Sequence, residues 1–261
     1  KDRQWGSRQM AILWSHRSGD TRYEVRAAGS SLRLYNNGVL HSQFSERCPA
    51  TGSVWDLLWL PALFRVSGMP RRVLLLGAGA GTVIRQLTTV FGPLEITAVE
   101  NDPIHLQVAR EHFGVTDSMA TLELADAGEF VGRYAGRPFD LVIDDLFGGS
   151  GGVAARARPF DRPWFRKLKR CLARDGILSI NFADREERLD SVVGSIFGPD
   201  QRFRSGFELR APGIENVIVG LLPFEAQSAD LRAHLQVTPG LAPLLQRDRL
   251  RFRIRMMKKT P

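Results

Sequence analysis

The sequence predicts an α/β fold: a mostly parallel sheet of seven strands, the last of them antiparallel, preceded by a small antiparallel sheet. The first observation behind this prediction is a continuous apolar run at residues 73–76 that leads into Gly77, Gly79 and Gly81. Such a run is typical of a parallel strand covered on both faces, and the glycines allow a sharp turn. Apolar residues then recur at helical spacing over residues 83–87, which predicts a helix beside the turn.

The second observation is that three later predicted strands end in acidic residues. These residues are Glu100, Asp126 and the pair Asp144 and Asp145. The carboxyl ends of parallel strands meet at one edge of the sheet, where α/β proteins bind their ligands. Since neighbouring strand residues face opposite sides, we expect Asp145 to contact the ligand and Asp144 to point away.

The third observation is a series of short strand-like segments ahead of the apolar run, which predicts the small antiparallel sheet. They are residues 10–14, 21–27, 31–35 and 39–44. Residues 53–64 are predicted to be helical, with Pro61 ending or kinking the helix. We therefore divide the chain into an N-terminal strand region (1–50), a Rossmann-like cofactor-binding catalytic domain (51–223) and a basic C-terminal extension (224–261).

The glycine turn and the acids together predict a nucleoside site. The G-x-G-x-G spacing is closer than the G-x-G-x-x-G of nicotinamide-binding turns. With the acids, it suits a single nucleoside that carries an amino group and no phosphate, and S-adenosylmethionine has that chemistry. We predict that Glu100 binds the ribose hydroxyls, Asp126 the adenine amino group and Asp145 the cationic amine.

Four segments carry a resemblance to a known family: residues 73–82, 97–103, 126–127 and 140–145. Over roughly residues 20–222, the chain resembles the spermidine synthase (aminopropyltransferase) branch of the class I methyltransferase superfamily. The resemblance implies a Rossmann-like class I methyltransferase fold, with S-adenosylmethionine or its decarboxylated form as the ligand. It adds Ala127 to the predicted cofactor-binding residues. The segment around Asn37-Gly38, a strong two-residue hairpin turn, resembles the family's hairpin ahead of the core.

The chain departs from this family at two acidic positions. Ala80 stands where the family has an aspartate that disfavours a ligand with a carboxylate, and Gly148 stands where it has an acid that acts on the attacking amine. The family's Tyr-His pair aligns with Val54-Trp55, and its glutamine after the fifth strand aligns with Asn181. A polyamine needs several carboxylates to pair its ammonium groups, so these losses argue against ordinary spermidine synthesis.

We therefore predict an S-adenosylmethionine-dependent transferase of spermidine-synthase-like fold. Methyl transfer to an unidentified small-molecule acceptor is favoured over aminopropyl transfer. Asp145 is the best candidate for a catalytic base, although the ligand itself carries the leaving group and the protein mainly orients the nucleophile. Two alternatives stay open: an aminopropyltransferase with an altered acceptor site, and a non-catalytic protein that binds a nucleoside or nucleic acid.

The composition is that of an ordinary globular chain of 261 residues, 43% apolar and 25% charged, with a formal net charge of +8. The basic pI near 10.2 leaves nucleic acid as an alternative partner that is not favoured. A homodimer is also left as an alternative. There is no apolar run of membrane-spanning length, and two cysteines without a disulfide framework favour the cytoplasm. We predict no metal site because the five histidines are not spaced in the sequence as metal ligands usually are. His105 and His112 are expected on the surface of a helix.

Three further features have alternative interpretations. Arginines alternate with other residues over residues 247–256, which predicts an edge strand with an arginine face. The alternatives are a phosphate-binding ladder and a contact with a membrane surface or partner. We expect Trp59 in the core, whereas Trp55 and Phe147 are candidates for stacking on a planar group. The segment 148–158 is either a cover that closes over the site or a plain surface loop.

Overall fold

The computed structural model describes residues 11–65, 70–148 and 155–258. Its N-terminal part is a four-stranded antiparallel sheet in the order β1-β2-β3-β4. The strands are β1 (Ala11–Ser18), β2 (Thr21–Ala28), β3 (Ser31–Asn36) and β4 (Val39–Ser45). Asn37 and Gly38 connect β3 to β4 with positive φ angles of 46° and 85°. The predicted small sheet and its Asn-Gly hairpin turn are both confirmed.

The larger sheet has eight strands in the order β14-β12-β13-β11-β8-β5-β6-β7. The remaining strands, including the separate hairpin of β9 and β10, are β5 (Arg72–Leu76), β6 (Glu95–Glu100), β7 (Thr121–Leu124), β8 (Phe139–Asp144), β9 (Phe147–Gly148), β10 (Ala155–Arg156), β11 (Leu172–Phe182), β12 (Ser205–Arg210), β13 (Val217–Leu222) and β14 (Arg253–Met256). Strands β7, β6, β5, β8 and β11 pair in parallel, whereas β13, β12 and β14 join through antiparallel pairs. This is the predicted Rossmann-like architecture with one strand more than expected.

The additional strand comes from the arginine-alternating segment and forms an edge of the sheet beside β12. Its arginines are exposed, while Phe252 and Ile254 pack against the core. The strand covers Arg253–Met256 and not the whole predicted segment. One reason is that Asp248 adopts a positive φ of 55°, which interrupts an extended backbone.

Helices connect the strands of the larger sheet. They are α1 (Trp55–Leu58), α2 (Thr82–Phe91), α3 (Pro103–Glu111), α4 (Ala127–Arg133), α5 (Arg162–Cys171), α6 (Arg185–Asp190), α7 (Ser228–Val237) and α8 (Ala242–Gln246). Two 3₁₀ segments lie at Leu60–Phe64 and Val192–Ser195. The helix predicted over residues 53–64 is thus split, since Pro61 cannot donate an N–H and a 3₁₀ segment replaces the helix there. Within the described ranges, no helix combines the length and apolarity needed to cross a membrane.

Three apolar clusters hold these elements together. The largest packs α1, the first 3₁₀ segment and α2 against the sheet, and it includes Leu231 and Leu235 of α7. The residues predicted as a C-terminal extension therefore pack on the same core. A second cluster contains residues of α4 and α5. The third joins the N-terminal sheet to α3 and the glycine turn, so the sheet is fixed beside the ligand edge.

Candidate active site

A cavity of about 480 Å³ opens at the carboxyl ends of β5, β6 and β8. The glycine turn, the strand ends and the N-terminal sheet line it together. Three acidic residues belong to the lining: Glu100, Asp102 and Asp145. Among the described residues, no lysine or arginine lines this cavity. The cavity is therefore locally anionic in a chain whose net charge is +8.

The turn at the end of β5 requires glycine at two positions because other groups approach it closely. At Gly77, with φ of 86°, a side-chain carbon would overlap the carbonyl oxygen of Asp145. At Gly79, with φ of 51°, it would lie 2.7 Å from Ser42 Oγ. A larger residue at either position would displace the wall of the cavity.

Every backbone N–H of this turn, from residue 77 to residue 81, is bonded within the protein. The first two donate to the carbonyl oxygen of Val99, at 2.9 and 3.1 Å. The third donates to Glu100 Oε2 and the fourth to Ser42 Oγ, both at 2.8 Å. The fifth donates to the carbonyl oxygen of Ala78 at 2.9 Å. Turns that bind phosphate or carboxylate direct free N–H groups at the anion. In this turn, no backbone N–H group of residues 77–81 is free to bind an anion.

Glu100 ends β6 and is held in place by backbone donors. Its Oε2 accepts from Gly79, and its Oε1 accepts from the N–H groups of Asn101 and Asp102, each at 3.0 Å. Burial raises the pKa of this carboxyl group, but nearby His105 and the backbone hydrogen bonds outweigh burial and hold the pKa below its usual range. Glu100 is therefore a fixed, ionised carboxylate at neutral pH.

A wall of ring side chains beside Glu100 was not predicted from the sequence. His105 of α3 is only 6% exposed, and it lines the cavity with Tyr23 and His41. The predicted surface position of His105 is wrong, because the N-terminal sheet covers this side of α3. His112 is also half-buried, with its ring 5.5 Å from that of Trp14.

Short polar contacts join the members of this wall. Asn36 Nδ2 lies 2.8 Å from His105 Nε2, and the Tyr23 hydroxyl donates to Asp102 Oδ2 at 2.8 Å. Burial, with a smaller effect of the His105 charge, lowers the pKa of His41 to about 4. Burial and the bond to Asp102 raise the pKa of Tyr23 to about 12. Both side chains are therefore uncharged at neutral pH.

Asp145 follows β8 and lines the cavity next to β11. Asn181 of β11 donates to Asp145 Oδ1 at 2.7 Å, and Asn216 in turn donates to Asn181 Oδ1 at 3.0 Å. Among the described residues, no other side chain or backbone group donates to this carboxylate, so its Oδ2 has no hydrogen-bond donor. Burial raises the pKa of Asp145 to about 7, while the bond from Asn181 opposes the rise and the charge of Asp144 adds to it. A carboxyl group that titrates near neutral pH is suited to accept a proton.

Asp144 points away from the cavity, as the strand alternation predicts, and forms a buried ion pair. Its side chain is 0% exposed, and Arg156 Nη2 lies 3.0 Å from its Oδ2. Trp164 Nε1 donates to the same oxygen at 2.8 Å. Arg156 also donates to the carbonyl oxygen of Asn181 at 2.5 Å. The ion pair therefore ties β10 to the strand ends that carry Asp145 and Asn181.

Three of the predicted cofactor-binding residues lie outside the lining of this cavity. Gly81 is the N-cap residue of α2, and a side-chain carbon added there would meet Val115. Asp126 caps α4 by accepting the N–H of Glu129, and Ala127 is buried in that helix. The predicted residues that do line the cavity are Gly77, Gly79, Glu100 and Asp145.

The three aromatic candidates divide between the core and the cavity. Trp59 is 1% exposed and belongs to the core, where its Nε1 donates to Gln86 at 3.2 Å. Trp55 and Phe147 line the cavity. Within the described ranges, no group of three or more histidine, cysteine, aspartate or glutamate side chains could hold a metal ion.

The sequence model of a protein family, the spermine/spermidine synthase domain, matches residues 59–192, just over half of the chain. The chain belongs to the spermine/spermidine synthase family. A polyamine aminopropyltransferase of Caldanaerobacter subterraneus is 32% identical over 141 residues, which cover 53% of this chain and 45% of that protein. Another, from Ralstonia nicotianae, is 34% identical over 187 residues, which cover 67% of this chain and 35% of that protein. The chain thus spans less than half the length of these relatives.

Solved structures of this family share the fold. A probable spermidine synthase from Corynebacterium glutamicum superposes with a TM-score of 0.69 at 16% identity, covering 95% of this chain and 91% of that chain. The spermidine synthase of Thermotoga maritima gives 0.61 at 14% identity, covering 87% and 78%. Human methyltransferase-like protein 13 in complex with SAH gives 0.58 at 23% identity, covering 76% and 92%. Synthases and methyltransferases therefore share this Rossmann-like architecture, and the fold alone does not distinguish their reactions.

Proposed function

We propose that this member of the family transfers an aminopropyl group from decarboxylated S-adenosylmethionine to an amine. The observation that carries the proposal is the negative charge of the cavity. Three carboxylates line the cavity, and no described lysine or arginine does. Decarboxylated S-adenosylmethionine carries a sulfonium and an ammonium group and has no carboxylate. An anionic cavity stabilises such a dication when it leaves water.

The glycine turn supports the same choice of donor. S-adenosylmethionine itself has a carboxylate, which needs N–H donors or a cation when it is desolvated. The five N–H groups of residues 77–81 are all bonded within the protein. Because neither this turn nor a described lysine or arginine of the lining would pair the carboxylate of the parent compound, we expect the parent to bind more weakly by about 2 kcal/mol.

Ala80 does not weaken this argument. The absence of an acid at this position indicated, from the sequence, that discrimination against a carboxylate is lost. In the structure Ala80 is fully buried in the third apolar cluster, with Val108 and Phe113, and it does not line the cavity. The carboxylates that do line the cavity can supply the repulsion instead.

The lining residues fit this donor. Glu100 lies at the strand end where an acid binds ribose hydroxyls in this type of sheet, and Gly77 and Gly79 line the cavity beside it. When bound, the donor would supply a carbon activated by the adjacent sulfonium, whose carbon–sulfur bond breaks with the electron pair leaving on sulfur. Asp145 Oδ2 would accept the proton that the acceptor nitrogen loses as the new carbon–nitrogen bond forms.

Methyl transfer, which the sequence favours through the missing acids at Ala80 and Gly148, receives less support. The similar proteins from Caldanaerobacter and Ralstonia are named polyamine aminopropyltransferases. The methyl donor also carries the carboxylate for which the described lining has no cationic partner. We therefore rank aminopropyl transfer first and methyl transfer second.

Product analysis tests the proposal. With decarboxylated S-adenosylmethionine and a mixture of amines, we expect release of 5′-methylthioadenosine, reduced about 100-fold in the Asp145→Asn variant. The variant Asp117→Asn, which changes an exposed acid outside the cavity lining, is the matched control. With S-adenosylmethionine, we expect no S-adenosylhomocysteine. Formation of S-adenosylhomocysteine without methylthioadenosine would contradict the proposal and favour methyl transfer.

A further inference from the structure

We propose that the amine acceptor carries a single ammonium group on an uncharged, apolar body, so that diamines and triamines bind poorly. This inference rests on the proposed aminopropyl transfer and concerns the acceptor part of the same cavity. Its basis is the number of carboxylate oxygens that the protein leaves free for a substrate.

Two of the three carboxylates in the lining are already bonded on both oxygens. Glu100 accepts three backbone N–H groups. Asp102 Oδ1 accepts the N–H of Ile104 at the start of α3, and its Oδ2 accepts the Tyr23 hydroxyl, both at 2.8 Å. Both acids lie at the end of β6 beside the glycine turn, where the proposed donor binds, so we assign their charge to the donor and not to the acceptor.

Asp145 differs from the other two acids. Asn181 bonds to its Oδ1, and no described residue donates to its Oδ2. One ammonium group of an acceptor can therefore be paired here. Residues 149–154, which belong to the segment predicted as a cover or a surface loop, lie outside the described ranges.

Besides its three acids, the cavity lining includes apolar and uncharged polar side chains. Phe147 and Trp55 supply aromatic surface, Ile214 supplies aliphatic surface, and Asn216 supplies an amide. An apolar chain gains free energy when it leaves water for such a surface. A second ammonium group would lose its hydration there without gaining a counter-ion, which is costly.

Two amines of equal size test this inference. Heptylamine and 1,6-diaminohexane differ only in a terminal methyl or amino group. We would saturate the protein with 5′-methylthioadenosine and titrate each amine by calorimetry at pH 8. We expect heptylamine to bind about tenfold more tightly, or better, because the diamine must bury an unpaired charge.

Position 148 offers a reciprocal test. Among the described residues, a side-chain carbon added to Gly148, which lines the cavity, would meet only Ala157 Cβ, at an ordinary distance of 3.8 Å. Gly148→Asp should therefore fold, and its new carboxylate should reverse the preference in favour of the diamine. Gly148→Ser is the uncharged control and should keep the wild-type order. Thermal melting would verify that both variants are folded.

Each outcome has a defined meaning. Equal or tighter binding of the diamine by the wild-type protein overturns the inference, as does failure of both amines to bind the saturated protein. Failure of 5′-methylthioadenosine itself to bind, which is measured first, overturns the proposed function as well. A preference for heptylamine that Gly148→Asp reverses supports the inference.

Discussion

Asn181 Nδ2 lies 2.7 Å from Asp145 Oδ1, and this hydrogen bond favours the ionised form of the side chain that we propose as the proton acceptor. Asn181 is itself 2% exposed and is oriented by Asn216, which donates to its Oδ1 at 3.0 Å. Burial raises the pKa of Asp145 to about 7, and the bond from Asn181 opposes that rise. The two asparagines therefore orient and tune the carboxyl group that we propose as the proton acceptor.

Replacing Asn181 should move the pH dependence of the reaction. In Asn181→Ala the carboxylate loses its donor, so we expect the pKa of Asp145 to rise above 7 and the acidic limb of kcat/KM to move to higher pH. Asn216→Ala should shift the limb in the same direction by less. Ser179→Ala, on the same strand, removes a buried hydroxyl without a partner in the described structure and is the control. An unchanged limb in Asn181→Ala would show that Asn181 does not tune Asp145.

Asp145 should lower the stability of the folded protein at neutral pH. Its pKa is raised from 3.8 to about 7 by burial, so the native state keeps its proton to higher pH than the unfolded chain. The contribution of Asp145 to the free energy of unfolding therefore falls as pH rises from about 4 to 7 and stays low above pH 7. We expect Asp145→Asn to be more stable than wild type by about 1–2 kcal/mol at pH 8, with a smaller difference at pH 5. Urea unfolding at both pH values measures this, and a larger gain at pH 5 would contradict the assignment.

The buried ion pair behind the cavity should be far more sensitive than an exposed one. Arg156 and Asp144 are 2% and 0% exposed, so Arg156→Met leaves a carboxylate buried without its cation. We expect a loss of about 3–5 kcal/mol in the free energy of unfolding. Arg158, half-exposed and 3.7 Å from Asp126, is the matched control, and Arg158→Met should cost less than about 1 kcal/mol. Similar losses for the two variants in urea unfolding would argue against the buried pair.

Local sequence patterns could predict Glu100 and Asp145 because strand ends and side-chain alternation determine where such acids lie. They could not predict the wall of His105, Tyr23 and His41. The spacing within α3 indicates an apolar stripe, but it does not indicate that the N-terminal sheet covers the adjoining side of the helix. That arrangement depends on packing between segments that are distant in the sequence.

The same distinction holds for the fold. The alternation of residues 247–256 predicts an edge strand, and the structure has one in β14. Its place beside β12, as an eighth strand of the main sheet, follows from long-range pairing that the alternation does not encode. Asp126 also ends a predicted strand, but its carboxyl group caps α4.

The environment of Ala80 leads to a further prediction. Ala80 is 0% exposed within an apolar cluster, so an aspartate there would be buried without a cation. We expect Ala80→Asp to reduce the free energy of unfolding by about 3 kcal/mol or more. Gly148→Asp introduces the same side chain at a position of the cavity lining where the described residues leave it an ordinary contact with Ala157, and it should cost less than about 1 kcal/mol. Comparable stability of the two variants in thermal and urea unfolding would show that Ala80 does not face the cluster.

The most direct test of the account compares two ligands that differ by one carboxylate. Decarboxylated S-adenosylmethionine and S-adenosylmethionine would be titrated into the protein by calorimetry under identical conditions. The anionic lining and the fully bonded glycine turn predict that the decarboxylated compound binds about 30-fold more tightly, equivalent to about 2 kcal/mol. Equal binding, or tighter binding of S-adenosylmethionine, would contradict the claim that this cavity selects a cationic donor without a carboxylate.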